Sequence, residues 1–334
     1  MKSYIIDAYI KTLDELPSKY SEKAPEPKPG QNDVLIDVFA SALNFFDILQ
    51  LQGKYQQQPP FPWLPGVEFA GKISASSPIP KGCNLIPGRT RVFGASSGAF
   101  AERLSADWRQ IIAIPEGMSY EAASTLFITY PTSYAALVLR AKLQKDEWCL
   151  VHAAAGGVGL CAVQIAKALG AKVIATAGTE EKLRVVKQLG GADHALDYTR
   201  DGWQKKVLEL TGGKGVNVIC DPVGMIQPSL KCIAWNGRAL IISMNLVLLK
   251  NISLMGIFWG AYAKNEQDRI PEGWAALLQL LRQGQLRPVV FEELYQGLES
   301  LPKGLKALGS RQTWGKAVVQ IKKESHPEKR DAKL

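Results

Sequence analysis

Asp146-Glu147-Trp148-Cys149-Leu150-Val151-His152-Ala153-Ala154-Ala155-Gly156-Gly157-Val158-Gly159-Leu160-Cys161-Ala162-Val163-Gln164-Ile165-Ala166-Lys167 reads as strand, turn and helix. Trp148 to His152 is apolar enough for a strand buried on both faces of a parallel sheet, and Ala162, Ile165, Ala166 and Leu169 share one helical face. In the turn between them, Gly156, Gly157 and Gly159 allow a sharp bend and a close approach to a pyrophosphate. They also open a helix whose free N–H groups attract anions. Ala155, Gly156, Gly157 and Val158 are the candidate phosphate contacts. In the register Ala154-x-Gly156-x-x-Gly159, alanine replaces the first expected glycine, a change that a small residue tolerates. Most glycine-rich turns bind nothing; here the flanking strand and helix specify a dinucleotide site.

The 334 residues suffice for two domains, each with a sizeable core. The net charge of +9 is spread among acids, and only the tail from Lys322 has a dense basic run, itself interrupted by acids. That pattern argues against nucleic acid as a partner and for solvated surface with a pull on anionic ligands. The five cysteines fall mostly in apolar patterns and read as reduced core thiols of a cytoplasmic protein. Met1 to Lys11 lacks the long apolar region of a secretory signal. Ala239 to Leu249, the longest apolar run, is about half of what a bilayer needs, so it is expected as a buried strand and no membrane partner is expected.

Leu150, Ala154-Ala155-Gly156-Gly157-x-Gly159, Gln164 and Lys167, at their fixed spacing, resemble the signature of the zinc-independent quinone oxidoreductase (zeta-crystallin-like) branch of the medium-chain dehydrogenase/reductase superfamily. That resemblance implies an α/β fold: a Rossmann doubly wound parallel sheet domain and a GroES-like, mostly antiparallel β catalytic domain. The expected division is residues 1–125 with 265–323 for the catalytic domain, 126–264 for the coenzyme domain, and 324–334 as a flexible tail.

Ser41 to Asp47, Gly53-Lys54-Tyr55 and Pro65 to Gly71 resemble the GroES-like domain in order and spacing, which places Asn44 at the family's first active-site position. Zinc-dependent relatives carry cysteine at the place of Asn44 and histidine at that of Val67. With His152, His194 and His326 as the chain's three histidines, a tetrahedral site is hard to build, and no metal is expected. Asn44 either donates a hydrogen bond to an acceptor carbonyl or caps the following turn. Glu68 is expected to serve structure or to stand in solvent, and Lys316, in the final Gly-Lys strand, to face an anionic cofactor or, by preference, water. Tyr55, Phe46 and Tyr130 are candidate pocket residues, because Leu49 replaces a tyrosine common in the resembling quinone reductases. Tyr120 to Leu143 is helical in period, and the resemblance sets Thr132 beside a nicotinamide; a helix-interior hydroxyl is the alternative.

Past the fingerprint helix, Val173 to Thr176 is the second Rossmann strand. An NAD enzyme would hold an acid about 20 positions after the glycines, and here Gly178 takes that place. Gly178 and Thr179 offer N–H and hydroxyl donors, and Lys182 supplies charge, so NADPH is expected over NADH; a plain surface lysine is the alternative. The resemblance adds Tyr198 at the adenosine end, and Asp221, Val223 and Ser243 near the coenzyme.

Relatives continue past Ser243 with a glycine-rich loop, whereas this chain passes directly to Asn245-Leu246-Val247-Leu248-Leu249-Lys250. Asn251 to Trp259 resembles the strand through which family members form homodimers. Trp274 to Leu281 is expected as a helix, Arg287 to Phe291 as a strand, and Leu294 to Leu308 as a further helix. The terminal Ala332-Lys333-Leu334 resembles a peroxisomal address, an alternative to the cytoplasm. The implied activity is hydride transfer from NADPH to a quinone, enone or enal. The alternative is an NADPH-binding redox-sensor, structural or RNA-binding module with little turnover.

Overall fold

The alternation at Val34, Ile36 and Val38 becomes a long strand with those three side chains buried, the backbone of one of two units. The computed structural model describes residues 1–55, 57–240 and 253–324. One unit comprises Met1–Phe127 and the chain from Val290 onward, and the other comprises Ile128–Val289.

In chain order the first unit contains β1 (Ser3–Tyr4), β2 (Tyr20–Ser21), β3 (Asp33–Ala42), α1 (Phe45–Leu51), β4 (Glu68–Ile73), β5 (Arg91–Ala95), β6 (Arg103–Asp107) and β7 (Ile112–Ala113). The second holds β8 (Trp148–Val151), α2 (Gly157–Ala168), β9 (Lys172–Ala177), α3 (Glu180–Gln188), β10 (His194–Asp197), β11 (Val216–Cys220), β12 (Ile233–Leu240) and β13 (Ser253–Leu254). The chain then returns with β14 (Val290–Gln296) and β15 (Lys316–Gln320).

Sheet order in the first unit is β14-β15-β3-β4-β5-β7, with β6 also on β3. All of its pairings are antiparallel except β14 with β15. Val34, Phe69, Ile73, Val92 and Leu104 fill one core of this unit; Tyr4, Leu16, Leu43, Phe100 and Leu305 belong to a second. Among the described residues, the other unit is a six-stranded sheet in the order β10-β9-β8-β11-β12-β13, with every pairing parallel. Counted from β8, this is the doubly wound order 3-2-1-4-5-6, whose switch point lies between β8 and β11. Cys149, Leu150 and Val151 of β8 are fully buried, as a central parallel strand requires.

Three expectations need correction. Residues 265–289 belong with the parallel sheet, because helix Arg269–Arg282 packs on helix Thr129–Tyr134 and Gln164 bonds the Arg287 backbone. The long helix expected from Tyr120 is broken into Tyr120–Ser124 and Thr129–Tyr134, followed by a wider π turn over Ala135–Arg140. Pro131 has no N–H to donate, so it fits within the first turn of a restarted helix and not inside a continuous one. Leu294 to Gln296 lies in β14, paired with β15, and Gly297 at φ 72° turns the chain before the helix at Leu301–Gly309.

Among the described residues no helix is long and apolar enough to cross a membrane. Residues 241–252, which include Ser243 and the shortened connection after it, lie outside the described residues, as do 325–334 with Ala332-Lys333-Leu334.

Candidate functional site

In the parallel-sheet unit the glycine turn joins β8 to α2. Ala153 takes φ 45°, its carbonyl accepts from Gly156 N–H at 2.9 Å, and Gly156 occupies the N-cap position of α2. A Cβ at Gly159 would stand 2.4 Å from Ala153 O and 2.7 Å from Ala154 Cα, so a side chain there cannot coexist with this turn. Ala154 N–H is bonded to Thr176 O of β9, which ties the turn to the neighbouring strand. Ala155, Gly156, Gly157 and Val158 therefore fall at the carboxyl end of β8 and the amino end of a 12-residue helix, where backbone N–H groups suit a diphosphate.

At the end of β9, Gly178 is followed by Thr179, which caps α3 by accepting from Lys182 N–H at 3.3 Å. Tyr198 lies against this corner: a Cβ at Gly178 would come within 3.1 Å of its hydroxyl. Gly178, Thr179, Lys182 and Tyr198 are thus neighbours in space. At the end of β11, Asp221 Oδ1 accepts from Val223 N–H at 3.0 Å and Gly224 N–H at 2.9 Å, and burial raises its carboxyl above the ordinary range. That carboxyl shapes the turn that leaves Val223 exposed.

Two residues expected at the coenzyme or acceptor make hydrogen bonds within the parallel-sheet unit. Thr132 Oγ1 donates to Ile128 O at 2.6 Å, the helix-interior alternative. The buried Tyr130 gives its hydroxyl to Gln164 Oε1 at 3.0 Å. His152 is fully buried between Thr176 Oγ1 (2.8 Å) and Ser229 Oγ (2.7 Å). Ser229 gives its own proton to Met225 O, so Nε2–H donates to Ser229 and Nδ1 accepts from Thr176. Burial pulls this imidazole down to about 4, and the ring is neutral.

The other unit holds a buried polar group that the sequence reading did not foresee. Lys316, expected in water, is 5 % exposed; its Nζ donates to Asn44 Oδ1 at 2.6 Å and pairs with Glu68 Oε2 at 2.9 Å. The antiparallel registers of β3 bring these residues together: Ala42, two residues before Asn44, pairs with both Val318 of β15 and Glu68 of β4. Glu68 is fully buried and also accepts from Asn44 Nδ2 at 3.2 Å. The solvated alternative for Glu68 is thereby ruled out. Asn44 takes the N-cap position of α1, and Asp47, three residues on, accepts from its backbone N–H at 2.7 Å. The second oxygen of Asp47, Oδ1, has no hydrogen-bond partner among the described residues, and burial pushes this carboxyl up to about 7. Tyr55 is half-buried and stacks on Phe46, ring centroids 5.3 Å apart.

An Asn-x-x-Asp spacing at 44 and 47 is a capping signal that could have found Asp47. A lysine opening an apolar strand gives little sign of burial, because such residues usually reach solvent.

The amino-terminal part matches the family profile described as Alcohol dehydrogenase GroES-like domain over residues 30–116, and the parallel-sheet part matches Zinc-binding dehydrogenase over 157–281. The chain is 34 % identical over 327 residues to Quinone oxidoreductase-like protein 2 of Mus musculus, covering 92 % of this chain and 89 % of that protein. The chain belongs to the medium-chain dehydrogenase/reductase superfamily, in its quinone oxidoreductase branch. Among solved structures it resembles the Escherichia coli quinone oxidoreductase complexed with NADPH, with a TM-score of 0.82 and 27 % identity over 96 % of this chain and 100 % of that one. The quinone oxidoreductase from Thermus thermophilus, solved also in complex with NADPH, gives a TM-score of 0.81 and 29 % identity over the same shares.

The second profile's description implies zinc, and the residues do not fit that ion. Val67 offers no donor, and the Asn44 and Glu68 oxygens already hold the Lys316 ammonium. Among the described residues no group of three or more His, Cys, Asp or Glu could hold a metal.

Proposed function

We propose that this protein is an NADPH-dependent reductase that passes a hydride to a quinone or to the β carbon of an enone or enal, without a catalytic metal. The observation that carries this reading is the turn at Gly156–Gly159, closed to any side chain at Gly159 and opening directly onto a helix amino end. Ala155, Gly156, Gly157 and Val158 would bind the diphosphate through backbone N–H groups. Gly178 removes the carboxylate that would repel a 2′-phosphate, while Thr179, Lys182 and Tyr198 would receive it. The Asp221–Val223 turn, at the ligand-binding edge of the sheet, would border the same coenzyme.

Bound NADPH supplies the hydride. Asn44 would donate a hydrogen bond to the acceptor oxygen and stabilise the charge that grows there, and Tyr55 on its Phe46 support would orient the ring or enone. A homodimer through the segment 251–259 fits β13, the last strand in the order of its sheet among the described residues, since an edge strand invites pairing.

The reading is tested by mixing the protein with NADPH and a panel of quinones, enones and enals while following loss of reduced-coenzyme absorbance. Turnover of at least one class is expected. Binding of NADPH with no oxidation by any acceptor would favour a coenzyme-binding module instead, a reading supported by the hydrogen bonds that already engage both ends of the Asn44 amide.

A further inference from the structure

The two ends of an asparagine amide have nearly the same shape and opposite hydrogen-bonding character, so a half-turn about the last side-chain bond exchanges donor for acceptor. At Asn44 the surroundings distinguish the ends by charge. The carbonyl oxygen stands 2.6 Å from the Lys316 ammonium, and the NH2 group stands 3.2 Å from a Glu68 carboxylate oxygen. Turned over, the amide would set its NH2 against the ammonium and its oxygen against the carboxylate. Two charge-assisted bonds would become two repulsions. Lys316 and Glu68 are themselves joined at 2.9 Å and nearly without exposure, so neither can swing away to accommodate the reversed amide.

We infer that Lys316 and Glu68 are positioning residues, a buried ion pair that locks the Asn44 amide in one orientation and leaves an N–H of that amide as the group offered to the acceptor oxygen. The remaining Nδ2 hydrogen has a weak claim on it: Ala42 O lies at 3.5 Å, the outer limit of a hydrogen bond. An acceptor oxygen at ordinary distance would displace that contact without disturbing the bonds to Glu68 and Lys316. Asp47 completes the arrangement by holding the Asn44 backbone N–H at 2.7 Å. The inference rests on the reading of Asn44 as the residue that polarises the acceptor.

Removing one charge alone would leave the other buried and unpaired, and such a variant could lose its fold. The informative variant is therefore the double change Glu68→Gln with Lys316→Met, compared with Lys316→Arg as the conservative one. With NADPH and the best acceptor, the double variant is expected to lose roughly 10²-fold in kcat. Its NADPH affinity should stay unchanged, and its isotope effect with NADPH deuterated at the transferred position should be larger. Lys316→Arg alone should keep most of the wild-type rate.

In protein labelled with 15N-asparagine, the Asn44 amide should give two separate proton signals, assigned by their loss in Asn44→Ala. In the double variant those signals should shift and broaden. A double variant with wild-type kcat, or with unaltered Asn44 amide signals, would overturn the inference. The amide signals decide it even if the wild type turns over no acceptor, which keeps it separate from the fate of the reductase reading.

Discussion

The side-chain amide of Gln164 grips the backbone of Arg287 in both directions, accepting its N–H at 3.1 Å and donating to its C=O at 3.0 Å. The same side chain accepts the Tyr130 hydroxyl and donates to Leu189 O, so one residue of α2 fastens three distant segments of the parallel-sheet unit. Gln164→Leu should therefore cost about 2 to 3 kcal/mol of stability, because several partly buried polar groups lose their partner together. Urea unfolding measures this, and a loss under about 0.5 kcal/mol, the range of ordinary surface changes, would show the amide to be dispensable.

Gly159→Ala addresses the turn itself. The new methyl would fall 2.4 Å from Ala153 O, a backbone atom already tied down through Gly156 N–H, so the turn must open. NADPH affinity should drop about tenfold or more by calorimetry, equivalent to about 1.4 kcal/mol. Unchanged affinity in a folded variant would mean that the turn is not the diphosphate site.

Two buried groups give the stability opposite slopes with pH. The free imidazole value is 6.5, and His152 in the folded chain is pulled down to about 4 by burial. Unfolded protein thus binds the extra proton between those values, and stability falls as pH drops from 6.5 towards 4, by about 3 kcal/mol in full. Asp47 runs the other way. Burial pushes its carboxyl from 3.8 up to about 7, so the unfolded chain releases a proton that the folded chain keeps, and stability falls as pH rises through that window. Asp47→Asn removes that second slope. Relative to wild type, the variant should gain stability between pH 4 and 7 by up to about 4 kcal/mol and then level off, as read by urea midpoints across pH. A flat difference would contradict a protonated Asp47.

Residues that determine backbone form were the legible part of this chain. The glycine turn, the alternation of β3 and the apolar strand β8 each depend on local chemistry, and each stands where the sequence puts it. The Lys316–Glu68–Asn44 group was not legible, because it joins residues more than two hundred positions apart through the pairing of β15 with β3 and β3 with β4. Thr132 shows how a helical threonine reads two ways: its hydroxyl proton bonds Ile128 O in the preceding turn, and its oxygen keeps acceptor capacity. The boundary after residue 264 failed because helix Arg269–Arg282 reads equally well in either unit until its contact with helix Thr129–Tyr134 is known.

Coenzyme choice rests on the corner of Gly178, Thr179, Lys182 and Tyr198. Lys182→Ala should weaken NADPH binding by about 1.5 to 3 kcal/mol, the range for a hydrogen bond to a charged group, and leave NADH nearly untouched. Equal losses for both coenzymes would place the 2′-phosphate elsewhere.

Calorimetric titration of the purified protein with NADPH, and in parallel with NADH, tests the central claim most directly. Saturable heat with NADPH at one site per chain, and binding of NADH weaker by about tenfold or more, is the predicted result. No heat with NADPH, or tighter binding of NADH, would contradict it.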